Sequence, residues 1–279
     1  MIDLCTVVFR DEISTLKFQA QSVDRYCQQL NIRNIYVVVN DDESVINQID
    51  PGWWGSLAHR VLVVPRTAFS TAWVENGWLS QQLFKMLAAS ISYNDFTMIL
   101  DAKTIFVRDV DPATLVNEQG QSTVGQLDIY PVFEPARQIV NQLFNIDCKK
   151  QQGPGGVPFL FHNDTVRGMI AEVTNRTQQR FPSWFQSQGM LTEFMLYSGY
   201  VQYCHGSLDA VVANNRMGLV VNVSHDEAAH WVGKFRAMTG ANVLTVSVHR
   251  HAWPKLTAEQ KQQYRDFLIS RGIDSAWQM

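Results

Sequence analysis

Short runs of β-branched and apolar residues alternate with helical patterns through the first half of the chain, and that alternation fixes the class of fold. Residues 4–9, Leu-Cys-Thr-Val-Val-Phe, read as a first strand. Ile13, Leu16, Ala20, Val23, Cys27 and Leu30 then recur at steps of three and four, the apolar stripe of an amphipathic helix. Residues 35–39 are a second strand ending on Asn40-Asp41-Asp42, and residues 59–64 a third, closed by Pro65. A helix is predicted over 78–92 and a fourth strand over 96–100. Strands alternating with helices call for an α/β fold, a mostly parallel sheet with helices on both faces.

The second half is less regular. An edge strand is expected near 123–127, helices over 135–144 and 192–197, and an apolar run at 157–161. Asn163 or Asp164 is the expected cap of the helix that follows. Residues 219–223 and 243–248 read as strands, 226–238 as a helix, and the tail from 256 as a packed terminal helix.

Bulk properties exclude several functions. A length of 279 residues is enough to bury a large core, most simply as one domain over 1–279 with an elaborated C-terminal half. A net charge of −3 without a long basic run argues against nucleic acid as a partner. The four cysteines form no Cys-x-x-Cys pair, which argues against a zinc site or disulfide framework. No run approaches the roughly 18 apolar residues of a membrane span, and no basic leader precedes the first strand, so a cytoplasmic protein is expected.

The residues that can carry chemistry cluster at element ends. The apolar run 96–100 stops on Asp101, followed by Ala102 and Lys103. Ligand sites of open α/β sheets lie at such strand ends. Asp101 is either a turn former or a ligand of a cation or a ribose hydroxyl. Lys103, an ammonium at neutral pH, cannot ligate a metal but can meet phosphate directly. On the preceding helix Gln81, Gln82 and Lys85 share a face, either solvated or turned towards the same strand end. The literal Asp109-Val110-Asp111 precedes Pro112, and Asp111 there reads as a helix cap.

Gly153-Pro-Gly-Gly156 is a simple turn or a loop allowing close backbone approach, and it does not have the order of a phosphate-binding loop. Glu193 after Thr192 is either a helix-start acid or a general base. His249-Arg250-His251 follows the last strand, where one histidine and Arg250 can reach the sheet edge. Trp53, Trp54, Trp73, Trp78 and Trp184 are either core or sugar-stacking residues.

Taken in order, these pieces resemble the GT-A (Rossmann-like) class of nucleotide-sugar glycosyltransferases, and within it a family of poorly characterised bacterial and viral proteins. The resemblance rests on Trp78-x-x-Gln-Gln-Leu-x-Lys85, Ile99-Leu-Asp-Ala-Lys-x-x-Phe106, Val157-Pro-Phe-Leu-Phe161, Thr192-Glu-Phe-x-Leu-Tyr197 and Ser247-x-His-Arg250. It implies a nucleotide-sugar-binding half over 1–112 and an acceptor-side half with the terminal helix over 113–279. It further implies hexosyl transfer from a nucleoside diphosphate sugar, UDP-type favoured, to a hydroxyl of a glycan.

By the same resemblance, Thr6, Val7 and Phe9 with Asn40 or Asp41 lie near base and ribose. Lys85 faces the donor, Asp101 matches the first acid of an Asp-x-Asp motif, and Glu193 acts towards the acceptor or reacting sugar. Gln82, Ala102, Lys103, Gly156 and Arg250 complete the expected donor-binding set. Mn²⁺ or Mg²⁺ on Asp101 and His249 is the favoured cofactor, with Lys103 in place of the second acid leaving a cation-independent site as the alternative. A binding module without activity and a nucleotidyltransferase are the competing functions; the absence of glycine in Phe9-Arg10-Asp11-Glu12 counts against the second.

Overall fold

The structure is a computed structural model that describes residues 1–69, 77–153, 157–213, 219–224 and 227–273. Strand β1 (Ile2–Val8) is buried along its whole length, as a strand covered on both faces must be. It leads into α1 (Ile13–Tyr26), then β2 (Ile32–Val39) and β3 (Val61–Pro65). Helix α2 (Gly77–Ile91) turns directly into β4 (Phe96–Asp101). After these come β5 (Ile105–Phe106), β6 (Gln126–Asp128), α3 (Glu134–Phe144), β7 (Lys150–Gln152) and β8 (Phe159–His162). The chain continues through α4 (Asn163–Thr177), α5 (Phe181–Ser187), α6 (Glu193–His205), β9 (Leu219–Val223), α7 (Trp231–Met238), β10 (Val243–Val248) and α8 (Ala258–Ser270).

The main sheet has the order β3-β2-β1-β4-β8, parallel except for β8, which runs antiparallel with Leu160 opposite Met98. Side-chain alternation divides its core in two. Cys5, Val7, Ile99, Phe159 and Phe161 pack under α2, α4 and α6. Leu4, Val8, Val37, Met98 and Leu100 pack under α1 and Trp54. A smaller sheet, β5-β10-β9, closes over a third cluster with Trp231 of α7 and Tyr264 and Phe267 of α8. Helix α6 lies close to α3, where a Cβ at Gly199 would collide with Val140. Among the described residues no helix is long and apolar enough to cross a membrane.

Several local expectations change. Asn163 is no cap: it is buried, and its amide donates to Ser92 Oγ and Asn94 O, both at 2.8 Å, pinning the start of α4 to the α2–β4 turn. Asp164 instead pairs with Arg167. The helix expected over 226–238 shortens to α7, preceded by a 3₁₀ turn at Ala228–His230. Trp54 and Trp184 are core residues; Trp73 lies outside the described residues. Asp111 does cap the turn at Pro112–Thr114, accepting from the Ala113 amide at 2.9 Å.

Asp3 is fully buried and accepts from Asn34 N, Asn34 Nδ2 and Asn94 Nδ2 on one oxygen and from Ser92 Oγ on the other. Replacing it with Ala strands these donors in the core and is expected to cost about 2–3 kcal/mol of stability. A urea titration checks this, and an unchanged midpoint would contradict it.

Candidate active site

The carboxyl ends of β1 and β4 lie side by side, with Val7 opposite Asp101. A cavity of about 430 Å³ opens there. Helix α2 supplies one wall through Trp78, Gln81, Gln82 and Lys85, residues spaced to share a helix face. Phe9 and Glu12 come from the β1–α1 turn, and Asp101 and Lys103 from the end of β4. Thr192, Glu193 and Phe194 come from the start of α6, and His249 and Arg250 from the turn after β10. Thr192 caps α6 by accepting from the Met195 amide at 3.1 Å, which sets Glu193 in the first turn and out of solvent.

Four charged groups form a continuous chain through this wall. Lys85 Nζ donates to Glu193 Oε1 at 3.1 Å and to Asp101 Oδ1 at 3.0 Å; Lys103 Nζ donates to Asp101 Oδ2 at 2.7 Å. Lys85 and Glu193 are almost wholly buried, and Asp101 and Lys103 are about one-fifth exposed. Burial opposes the charge on Asp101, but Lys103 and Lys85 outweigh it and hold its carboxyl well below the usual range. Burial likewise opposes the charge on Lys85, and Asp101 and Glu193 outweigh that, pushing the ammonium up. Glu193 is different. Its burial exceeds the pull of Lys85, so its carboxyl is raised. Its second oxygen, Oε2, has no hydrogen-bond partner among the described residues. A buried acid with a raised pKa beside a cavity has the character of a group that can exchange a proton.

The implied cation does not fit the donor set. Both oxygens of Asp101 already accept from ammonium groups. Burial first, then Lys103, His251 and Arg250, hold His249 down to about 4, so its ring is neutral near pH 7. Its Nδ1 lies 3.2 Å from the His251 amide and accepts from it, which leaves the ring proton on Nε2. A metal-bound imidazole has the opposite arrangement, donating from the far nitrogen and turning a lone pair to the metal. Among the described residues no three His, Cys, Asp or Glu side chains converge as a metal-binding group. Mn²⁺ or Mg²⁺ held by Asp101 and His249 is therefore set aside as a reading of these residues.

The other expected site residues divide. Phe9, Gln82, Lys85, Asp101, Lys103, Glu193, His249 and Arg250 share the cavity. Thr6, Val7 and Ala102 do not; their side chains are buried in the core. Thr6 Oγ1 donates to Gln19 Oε1 at 2.7 Å, and Gln19 Nε2 donates to the Asp101 carbonyl, so Thr6 fixes the main chain behind the acid. Asn40 is also turned inward, donating to Ser80 Oγ at 2.7 Å, and Asp41 accepts from the Arg10 amide at 3.1 Å. Gly156 lies outside the described residues.

The residue patterns did not point to Glu12, Phe133 and Phe194. Glu12 had a signal, standing three residues after Phe9, whose amide donates to its carboxylate at 3.3 Å. Phe133 is in a turn remote in sequence and had none.

Residues 2–257 match the model of a family of unknown function, DUF6492. No curated protein matches the sequence. A galactosyltransferase, LgtC, solved with donor and acceptor sugar analogs, aligns over 96% of this chain and 95% of its own, with a TM-score of 0.53 and 11% identity. The glycosyltransferase GlyE of Streptococcus pneumoniae aligns over 99% of this chain and 66% of its own, with a TM-score of 0.48 and 11% identity. At such identity the first likeness is one of fold, and the chain has a GT-A-like α/β fold.

Proposed function

The chain belongs to the family of unknown function DUF6492, and for this member we propose the transfer of a hexosyl group from a nucleoside diphosphate sugar, of the UDP type, to a hydroxyl of a glycan. The observation that carries the reading is the Glu193–Lys85–Asp101–Lys103 chain at the strand-end cavity of a GT-A-like fold. Two ammonium groups suited to a departing diphosphate, beside a buried carboxyl suited to a proton, support the reading.

In this reaction the acceptor oxygen forms a bond to the anomeric carbon. The bond from that carbon to the phosphate oxygen breaks, and its electron pair leaves with the nucleoside diphosphate. The acceptor's proton passes to the Glu193 carboxylate, whose side chain must turn towards the cavity to receive it. Stabilising the leaving charge with fixed positive groups is the larger contribution to such a step. Trp78, Phe133 and Phe194, which line the same cavity, can give apolar ring faces to the C–H face of a sugar, which supports a glycan acceptor.

The test is release of nucleoside diphosphate from a panel of UDP- and GDP-sugars, with and without an oligosaccharide mixture. Acceptor-stimulated release of UDP is expected. A panel left intact by protein that still binds UDP would replace the reading with a sugar-nucleotide-binding module.

A further inference from the structure

We infer that the diphosphate is held by Lys103, Arg250 and the Nε2–H of His249, in the role a divalent cation would otherwise fill. The inference rests on the donor reading above and names the groups that make it chemically complete.

Three observations lead to it. Lys103 stands two residues after Asp101, where a second acid would complete Asp-x-Asp, and its ammonium lines the cavity. Asp101 holds that ammonium at 2.7 Å while also accepting from Lys85. When Lys103 swings to a phosphate oxygen, Asp101 keeps Lys85 and is not left as an unpaired buried charge. The exchange therefore avoids the penalty that breaking a buried pair carries.

Arg250 makes the second contact. Its Nη1 reaches both oxygens of Asp11, at 3.1 and 2.9 Å, and its guanidinium lies 5.7 Å from the centre of the Phe9 ring. Asp11 is largely exposed, and exposed pairs are weak, so a phosphate competes readily for the guanidinium and can take it bidentately. His249 is the third. With Nδ1 committed to the His251 amide, the ring offers a hydrogen-bond donor on the cavity wall. Besides Asp101 and Glu193, Glu12 lines the same space; its carboxyl is raised by burial foremost, with Lys103 opposing, and it is tied to the Phe9 amide.

The same two cations line a second cavity of about 130 Å³ with Asp11, Phe18, Trp253 and Tyr264. Lys103 and Arg250 thus stand on the wall shared by the two spaces. As the anomeric bond breaks, the electron pair moves to the phosphate oxygen, and the new negative charge meets an ammonium and a guanidinium already in place. No metal takes part in that balance.

Titration calorimetry of the full chain with UDP, and with inorganic pyrophosphate as a probe lacking base and sugar, tests this. The expected result is affinity unchanged within about twofold between EDTA and added Mn²⁺. Lys103→Gln and Arg250→Gln, each checked for an unshifted melting curve, should weaken both probes by about tenfold or more. Lys103→Asp, which restores the two-acid pattern, should bind UDP only when Mn²⁺ is added. UDP binding by the wild type that EDTA abolishes and Mn²⁺ restores would overturn the inference and leave the glycosyltransferase reading standing. Failure of both UDP and pyrophosphate to bind under either condition would overturn both.

Discussion

Lys85→Met is expected to destabilise the folded chain by about 3–5 kcal/mol, the range for removing one partner of a buried ion pair. Lys85 touches two acids at once. Among the described residues, Glu193 without it loses its only charged partner, and Asp101 is left with Lys103 alone. The isosteric apolar chain of Met keeps the volume, so the loss is electrostatic and not a cavity effect. Its pH dependence has a definite sign. Deprived of Lys85, Glu193 has a folded-state pKa raised further above its unfolded value, and the native state then binds more protons than the unfolded one. The deficit of the variant therefore grows as the pH rises through that raised value and shrinks below the unfolded pKa. Adding Glu193→Gln to Lys85→Met removes the stranded charge and should recover about 0.5–3 kcal/mol as a coupling energy. Urea melts of the four-member cycle at two pH values measure it. A Lys85→Met midpoint equal to the wild type would show that the chain of charges contributes no net stability.

The second large effect concerns turnover. Glu193→Gln is expected to lower kcat by about 10²–10⁴, the range for losing a positioned general base, with UDP affinity changed less than about twofold. Gln retains an amide oxygen for Lys85 and the same shape, so folding and donor binding are preserved. The acid limb offers an independent readout. Glu193 sits at the start of a helix, where the backbone dipole favours a carboxylate, yet burial wins and its carboxyl is raised. Wild-type kcat should therefore climb with pH through a value above the ordinary carboxylate range and then level off. The Gln variant should show no such limb. Equal kcat values for the two proteins would remove Glu193 from proton transfer.

Most of this arrangement was legible in the sequence, for identifiable reasons. Lys85 and Gln82 share a helix face by spacing alone, and Asp101 stands where an apolar strand stops, so their convergence on one sheet edge follows from the βα alternation. Asp111 was separable from a metal motif because Pro112 follows it. Thr6 and Val7 were misplaced because β1 is buried on both faces. Strand-end proximity then says nothing of access, and only Phe9, beyond the last ladder pair, reaches the cavity. The question of a cation turns on a finer grain. Residue types at 101 and 249 are compatible with a metal; the two ammonium contacts on Asp101 and the tautomer of His249 depend on rotamers and on a turn amide, which no pattern encodes.

The sheet division described above bears on how such a site can change over generations. Lys85 and Asp101 are anchored in the main sheet and its helices, whereas His249 and Arg250 follow β10, whose apolar side chains pack into a separate cluster with α7 and α8. Substitutions in β9, β10 or their helices can re-aim Arg250 and His249 while the chain from Glu193 to Lys103 stays fixed. The two parts of the wall are open to separate change: the buried acid–lysine chain on one side, Arg250 and His249 on the other.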